Sequence, residues 1–296
     1  MSKQKSQEHT ENVSSWNILW REIMKDKVAL VSLIIAVALC SFVVIVSLIA
    51  DQSAITRVNP LILNQSPSAD FWLGTDHGGR DVFGLLIIGA RNSLVIAIIV
   101  TALAGTVGII LGIVSGYFGG HIDNGIMRLV DFISILPTLM IIITFITIFP
   151  NHGVVHFALI MAAFGWIGTC RLIRSKALQE KNFEYVQASK TLGTSHFKTI
   201  FVQVFPNLSS IMITMMTLNL AANIGIEAGL SFLGFGFPPD VPSLGTLVAA
   251  ARNPVVLELR WWIWMPASLL ILTLMLCINN VGQALKRATD TRQRRG

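Results

Sequence analysis

Residues 185–206 read YVQASKTLGTSHFKTIFVQVFP, a polar and charged island between two long apolar runs. Phe197, Ile200, Phe201 and Val204 stand at i, i+3, i+4 and i+7, the spacing of one face of a short amphipathic helix. Tyr185, Ala188 and Leu192 form a smaller stripe ahead of it. Between the two stripes Gly193 interrupts the pattern, and Thr194 or Ser195 is placed to cap the second helix by accepting from its free N–H groups. Pro206 closes the unit where the next apolar run begins. The expectation is a helix–glycine–helix hairpin on a membrane face, suited to docking into a groove on another protein. The plainer alternative is an ordinary amphipathic loop at the membrane surface.

Outward from this island the composition sets the class. Of 296 residues, 53% are hydrophobic and 13% charged, and the mean hydropathy is +0.67. A soluble domain carries about 25% charged residues, so that class is excluded. The apolar residues fall in runs of the length, about 20 residues, that crosses a bilayer. The fold class expected is an all-α polytopic membrane protein with six transmembrane helices.

The spans are expected at 28–50, 93–119, about 125–149, a fourth ending near Thr169, 208 to about 233, and a sixth running to about Leu285. This divides the chain into a cytoplasmic N-terminal segment (1–27), a six-span transmembrane domain (28–285) with a cytoplasmic loop at 170–207, and a basic tail (286–296). An even number of spans puts both termini on one side. That side carries 17 of the 22 Lys and Arg residues; the other carries Arg57, Arg80, Arg91, Arg252 and Arg260. The excess marks the first side as cytoplasmic. The net charge of +6 therefore reflects topology, and no nucleic-acid partner is implied.

Cys40, Cys170 and Cys277 are odd in number and lack metal-ligand spacing, so neither a disulfide framework nor a zinc site is expected. His152 and His156 at a membrane edge read as structural rather than as a metal pair. Trp16, Leu19, Trp20 and Ile23 share a face opposite Arg21, Glu22, Lys25 and Asp26, which suits an interfacial helix or an extension of the first span. That span starts at Val28 and is full length, so it is expected to persist rather than be cleaved.

Several residues invite a closer reading. Ala104, Gly108, Gly112 and Gly116 recur every four positions, the small-xxx-small pattern of a close helix seam, one able to slide. Arg128 and Asp131 stand at i, i+3 and can pair. Pro137 is expected to kink the third span. Asp76, Arg80 and Asp81 read as a structural turn, because the glycines around them lack the Gly-Lys-Ser/Thr of a phosphate loop. Glu227 is the one carboxylate well inside an apolar run, with Asn219 and Asn223 on its face. An ionisable group there is a functional candidate by default, lining a pathway or subunit seam, or else an interhelical hydrogen-bond lock. Trp261, Trp262 and Trp264 read as an outer interfacial belt.

The central island resembles the cytoplasmic "EAA" loop of ABC-importer permeases, in which Glu-Ala-Ala is followed after three residues by Gly and later by Leu-Pro. Here the matching residues are Gln187-Ala188-Ser189, Gly193 and Phe205-Pro206. The spacing is kept, while the carboxylate is an amide, the second Ala is Ser and the Leu is Phe. Residues 73–81 with 89–94, 116–120 with Met127-Arg128 and Asp131, and 227–236 continuing to Pro242-Ser243 resemble the C-type permease subunit of dipeptide, oligopeptide and nickel importers.

The resemblance implies a type I ABC-importer permease in a prokaryotic inner membrane, a non-catalytic half-channel for di- and oligopeptides. It implies a homologous B-type permease partner and an extracytoplasmic binding protein, which Asp240 and Glu258 are candidates to meet. Two cytoplasmic ATPases would hold the ATP and Mg, and this chain would bind no cofactor or metal. It assigns ATPase coupling to Gln187, Ala188, Ser189, Gly193, Phe197, Phe201 and Pro206. The translocation path or helix seam falls to Asn219, Asn223, Glu227, Gly108, Gly112 and Gly116. Two alternatives stay open: import of nickel or a metal chelate within the same family, and an ion-coupled secondary transporter using Glu227, against which no inverted repeat is found.

Overall fold

The computed structural model describes residues 24–149, 153–238 and 241–293, with side chains up to Thr289. The segment before Met24 expected as an interfacial helix or an extension of the first span, His152 and Asp240 lie outside the described residues. Among those described, regular structure is helical apart from one antiparallel bridge between Thr75 and Asp81. A bilayer imposes this, because every backbone polar group in hydrocarbon must be satisfied within its own helix.

Helix α1 (Lys27–Ile49) starts at Asp26, whose carboxylate accepts from the N–H groups of Val28 and Ala29. Asp26 also pairs with Arg287 near the other end of the chain. After the short helix α2 (Gln52–Thr56) comes a loop held by Asp76. The Asp76 carboxylate accepts from the N–H groups of Gly78 (2.8 Å) and Arg80 (2.9 Å) and from the Arg80 guanidinium. Asp81 then caps helix α3 (Val82–Phe118). This helix starts at Val82 rather than the expected Ser93, because residues 82–90 are apolar and Arg91 is satisfied by Gln52 and Asn92. At 1.5 Å per residue it is roughly 55 Å long, well beyond the ~30 Å hydrocarbon layer.

The third expected span is broken rather than kinked. Helices α4 (Gly120–Ile135) and α5 (Thr138–Ile148) meet at 79°. Leu136, preceding Pro137, is extended, as the proline ring requires of its neighbour. Helices α6 (Val154–Gly165) and α7 (Ile167–Glu180) meet at 42°. Helical structure therefore continues past Thr169 into the segment expected as loop. Ion pairs anchor that extension: Arg174 chelates Asp123 and Arg171 binds Asp131 at 2.7 Å. Asp131 is thus taken by Arg171 across the helix pair, not by Arg128 on its own helix.

The remaining elements are α8 (Glu184–Thr191), α9 (His196–Thr199), a π turn (Ile200–Val204), α10 (Phe205–Leu233), α11 (Leu244–Ala249), a 3₁₀ turn (Ala250–Arg252), α12 (Pro254–Leu259) and α13 (Trp261–Gln293). Among the described residues, four helical runs are long and apolar enough to cross a membrane: α1, α3, His196–Leu233, and α13 as far as Thr289. Counting each bent pair as one crossing brings the number to six.

Helix α3 is the hub, packed by α7, α6 and α10, while α13 bridges α10 and α1. Trp262 departs from the expected lipid belt. Its ring lies over Gly74, and its Nε1 donates to the Thr75 carbonyl at 3.4 Å, so it fastens the Asp76 loop to α13.

Candidate coupling hairpin and interhelical seams

The hairpin has a fixed underside and a bare upper side. On α8, Val186 and Ser189 are buried, while Tyr185, Gln187, Ala188 and Leu192 face outward. Gly193 follows with φ +79°, a left-handed conformation in which a Cβ is strained. Its N–H donates to Lys190 (2.9 Å) and that of Thr194 to Ser189 (3.1 Å), closing the end of α8. Ser195 stands at the N-cap of α9, but no side-chain cap bond forms. Gln203 reaches back to the Ser189 hydroxyl at 2.8 Å, and Gln187 donates to the Lys181 carbonyl, also at 2.8 Å.

The expected single face of Phe197, Ile200, Phe201 and Val204 is split. Ile200 and Val204 are buried, whereas Phe197 and Phe201 are 75% and 64% exposed, beside Leu192 at 84%. The π turn accounts for this, since its wider winding rotates residues away from α-helical positions. It also corrects the reading of Pro206. The helix runs on through Pro206 without ending there, the proline taking the first turn of α10, where its missing N–H is tolerated.

Beneath, Ile200, Val204, Leu208 and Met212 pack on Ile113 and Tyr117 of α3 and on Ile173 and Ala177 of α7. Polar ties reinforce that packing. Tyr117 Oη lies 3.1 Å from His196 Nδ1, Lys190 sits 4.6 Å above the Tyr117 ring, and the Glu180 carboxylate accepts from Tyr185 and Asn207. Desolvation holds the Lys190 ammonium below its ordinary pKa, with Lys181 adding like-charge repulsion.

The glycine stripe is a close seam between α3 and α7. A Cβ on Gly108 would lie 2.7 Å from the Trp166 carbonyl oxygen, one on Gly112 2.8 Å from that of Cys170, and one on Gly116 2.5 Å from that of Arg174. Only glycine permits this approach. At its Gly116 end Ser115 and Arg174 both bind Asp123.

Asn219, Asn223 and Glu227 of α10 each find a partner on a neighbouring element. Asn219 donates to Thr169 and Asn223 to Thr101, each at 2.9 Å. Glu227 is 0% exposed and accepts from the hydroxyls of Ser93 (2.7 Å) and Ser231 (2.8 Å). Ser93 Oγ also accepts from the Leu244 N–H at 3.0 Å, and Asn92 donates to the Pro242 carbonyl at 2.8 Å. One carboxylate thereby ties together α3, α10 and the start of α11. Sequence reasoning missed these partners. Their signal was polar residues within apolar runs, Asn92-Ser93 and Ser231 four positions after Glu227.

Comparison with known proteins follows this geometry. The family model "Binding-protein-dependent transport system inner membrane component" matches residues 108–295. The oligopeptide transport system permease protein OppC of Lactococcus lactis subsp. cremoris (strain SK11) is 46% identical over 286 residues, covering 96% of this chain and 97% of the relative. The dipeptide transport system permease protein DppC of Bacillus subtilis is 37% identical, covering 93% and 85%. The oligopeptide transport system permease protein AmiD of Streptococcus pneumoniae is 33% identical, covering 95% and 91%. With its several membrane-length apolar helices, this chain is a multi-pass inner membrane protein and belongs to the binding-protein-dependent transport system inner membrane component family.

Proposed function

We propose that the chain is the permease subunit, one half of the translocation pathway, of an ATP-driven importer of di- and oligopeptides. The observation that carries the coupling role is the hairpin. Leu192, Phe197 and Phe201 are held outward and exposed while Ile200 and Val204 fix the same segment to α3 and α7. Large apolar side chains gathered this way mark a partner surface. The cargo reading rests on the relatives, named as oligopeptide and dipeptide permeases.

In this reading the bent pairs each make one crossing, giving six spans with both termini cytoplasmic. A homologous permease completes the channel, two ATPases holding ATP and Mg grip the hairpins, and an extracytoplasmic binding protein delivers the peptide. The chain itself carries out no covalent chemistry and holds no cofactor. ATPase closure displaces the Gly193 hairpin, and the movement enters α10 directly and α7 through their shared cluster around Ile173. Gln187, Ala188, Ser189 and Pro206 shape and orient the hairpin. Asn219, Asn223 and Glu227 hold helices in register, and the glycines let α3 and α7 shift.

Gentle extraction of the tagged chain from its host, followed by mass spectrometry, is expected to recover a second permease and ATPase subunits. The recovered complex, in vesicles with its binding protein, is expected to take up peptides on ATP addition. Uptake of nickel or a chelate without peptide uptake would overturn the cargo, and absence of an ATPase even after cross-linking would overturn the coupling.

A further inference from the structure

A cavity of about 350 Å³ opens between the Asp76 turn, the C-terminal end of α10 and helix α11, with His77, Arg80, Phe237, Leu247 and Arg252 in its wall. It lies at the small end of the ~300–1,000 Å³ typical of ligand sites, and an apolar wall with a few converging polar groups is their usual make-up. Such a volume suits one end of a peptide rather than a whole chain.

The charges of the wall single out Arg252. Asp76 is the one carboxylate among the described lining residues, and both its oxygens are occupied by Arg80 and the loop N–H groups. That pair leaves no net charge. Arg252 has no hydrogen-bond or ion-pair partner among the described residues. It rests against the end of α10, where a Cβ on Gly234 would lie 3.1 Å from its guanidinium nitrogen Nη1. Helix carbonyl ends steady a cation without neutralising it. A guanidinium left over at the rim of a partly apolar cavity presents a fork that matches a carboxylate. Phe237, Leu247 and Ile263 offer apolar surface for the adjoining side chain.

We propose that this cavity is a subsite for the terminal carboxylate of the peptide cargo, gripped by Arg252 as the peptide passes inward from the delivering protein. The proposal rests on the peptide reading above. A carboxylate on the delivering protein is a rival source of the same chemistry, and the experiment separates the two.

The assembled importer in vesicles, wild type, R252Q and R252K, is assayed for uptake of a tripeptide and of its C-terminal amide. The reading is the ratio of the two KM values, in which any preference of the delivering protein cancels between variants. R252Q is expected to raise the free acid's KM about tenfold with less than a twofold change for the amide, and R252K to fall between. Titration of the purified wild-type and R252Q complexes with the free tripeptide, without the delivering protein, is expected to show the same loss. An equal change for acid and amide, or unchanged titration, would overturn the subsite and point to the delivering protein's carboxylate. If the wild-type complex imports no peptide, the cargo reading itself fails and takes the subsite with it.

Discussion

The two ends of α10 invert each other's chemistry. Towards its C-terminal end a carboxylate, Glu227, is fully enclosed, with hydroxyl donors from α3 and from its own helix, and α11 hung from the Ser93 hydroxyl. Ahead of its N-terminal end three large apolar side chains, Leu192, Phe197 and Phe201, stand in the open. The first arrangement is complete within one chain. The second leaves apolar surface uncovered, which is favourable only when something else covers it. In the proposed reading, the contrast separates residues that hold this chain together from residues that hold it to others.

Three changes would break or sharpen that contrast. The largest effect is expected from Gly193→Pro. Proline is fixed near φ −65° where this residue needs +79°, and it loses the N–H that binds Lys190. Uptake should be abolished while the chain still reaches the membrane, and normal uptake at normal protein level would contradict the hairpin's role. Next is Glu227→Ala, which strips an acceptor from two buried hydroxyls, at a cost of about 1–3 kcal/mol. Thermal unfolding of the purified complex should shift downward with ATPase subunits still bound, and Glu227→Gln should shift it less. Smallest is Phe201→Asp, expected to weaken ATPase association about tenfold, or about 1.4 kcal/mol, with unfolding of the chain itself unchanged. If Phe201→Asp lowered stability and Glu227→Ala released the ATPases, the two ends would have been assigned the wrong way round.

How much of this was legible in the sequence differs by element. Apolar runs located the long helices, because span length and hydropathy are local properties. The glycine stripe was legible too, since a four-residue repeat of small side chains has few other uses in lipid. The splitting of Phe197 and Phe201 from Ile200 and Val204 was not, because the spacing rule assumes α winding and the π turn breaks it. Nor was the partner of Asp131, as Arg171 lies 40 residues away and meets it only after two bends bring α4 and α7 together. Glu227 stood out as a carboxylate in an apolar run, yet its donors Ser93 and Ser231 did not, because a single serine in a membrane helix satisfies itself in many ways.

The seam between α3 and α7 has an entropic consequence. At Gly108, Gly112 and Gly116 the facing atoms are backbone carbonyls and the Cβ atoms of Thr169, Ile173 and Ala177. Glycine has no rotamers to freeze, whereas each long side chain that is immobilised costs up to about 2 kcal/mol. Contact along this line can therefore form and dissolve with little ordering or disordering of side chains on the α3 side. In the proposed assembly, which must cycle, the seam would act as a bearing with few rotamers to freeze, and the conformational cost of each turnover would fall instead where flexible side chains meet a partner.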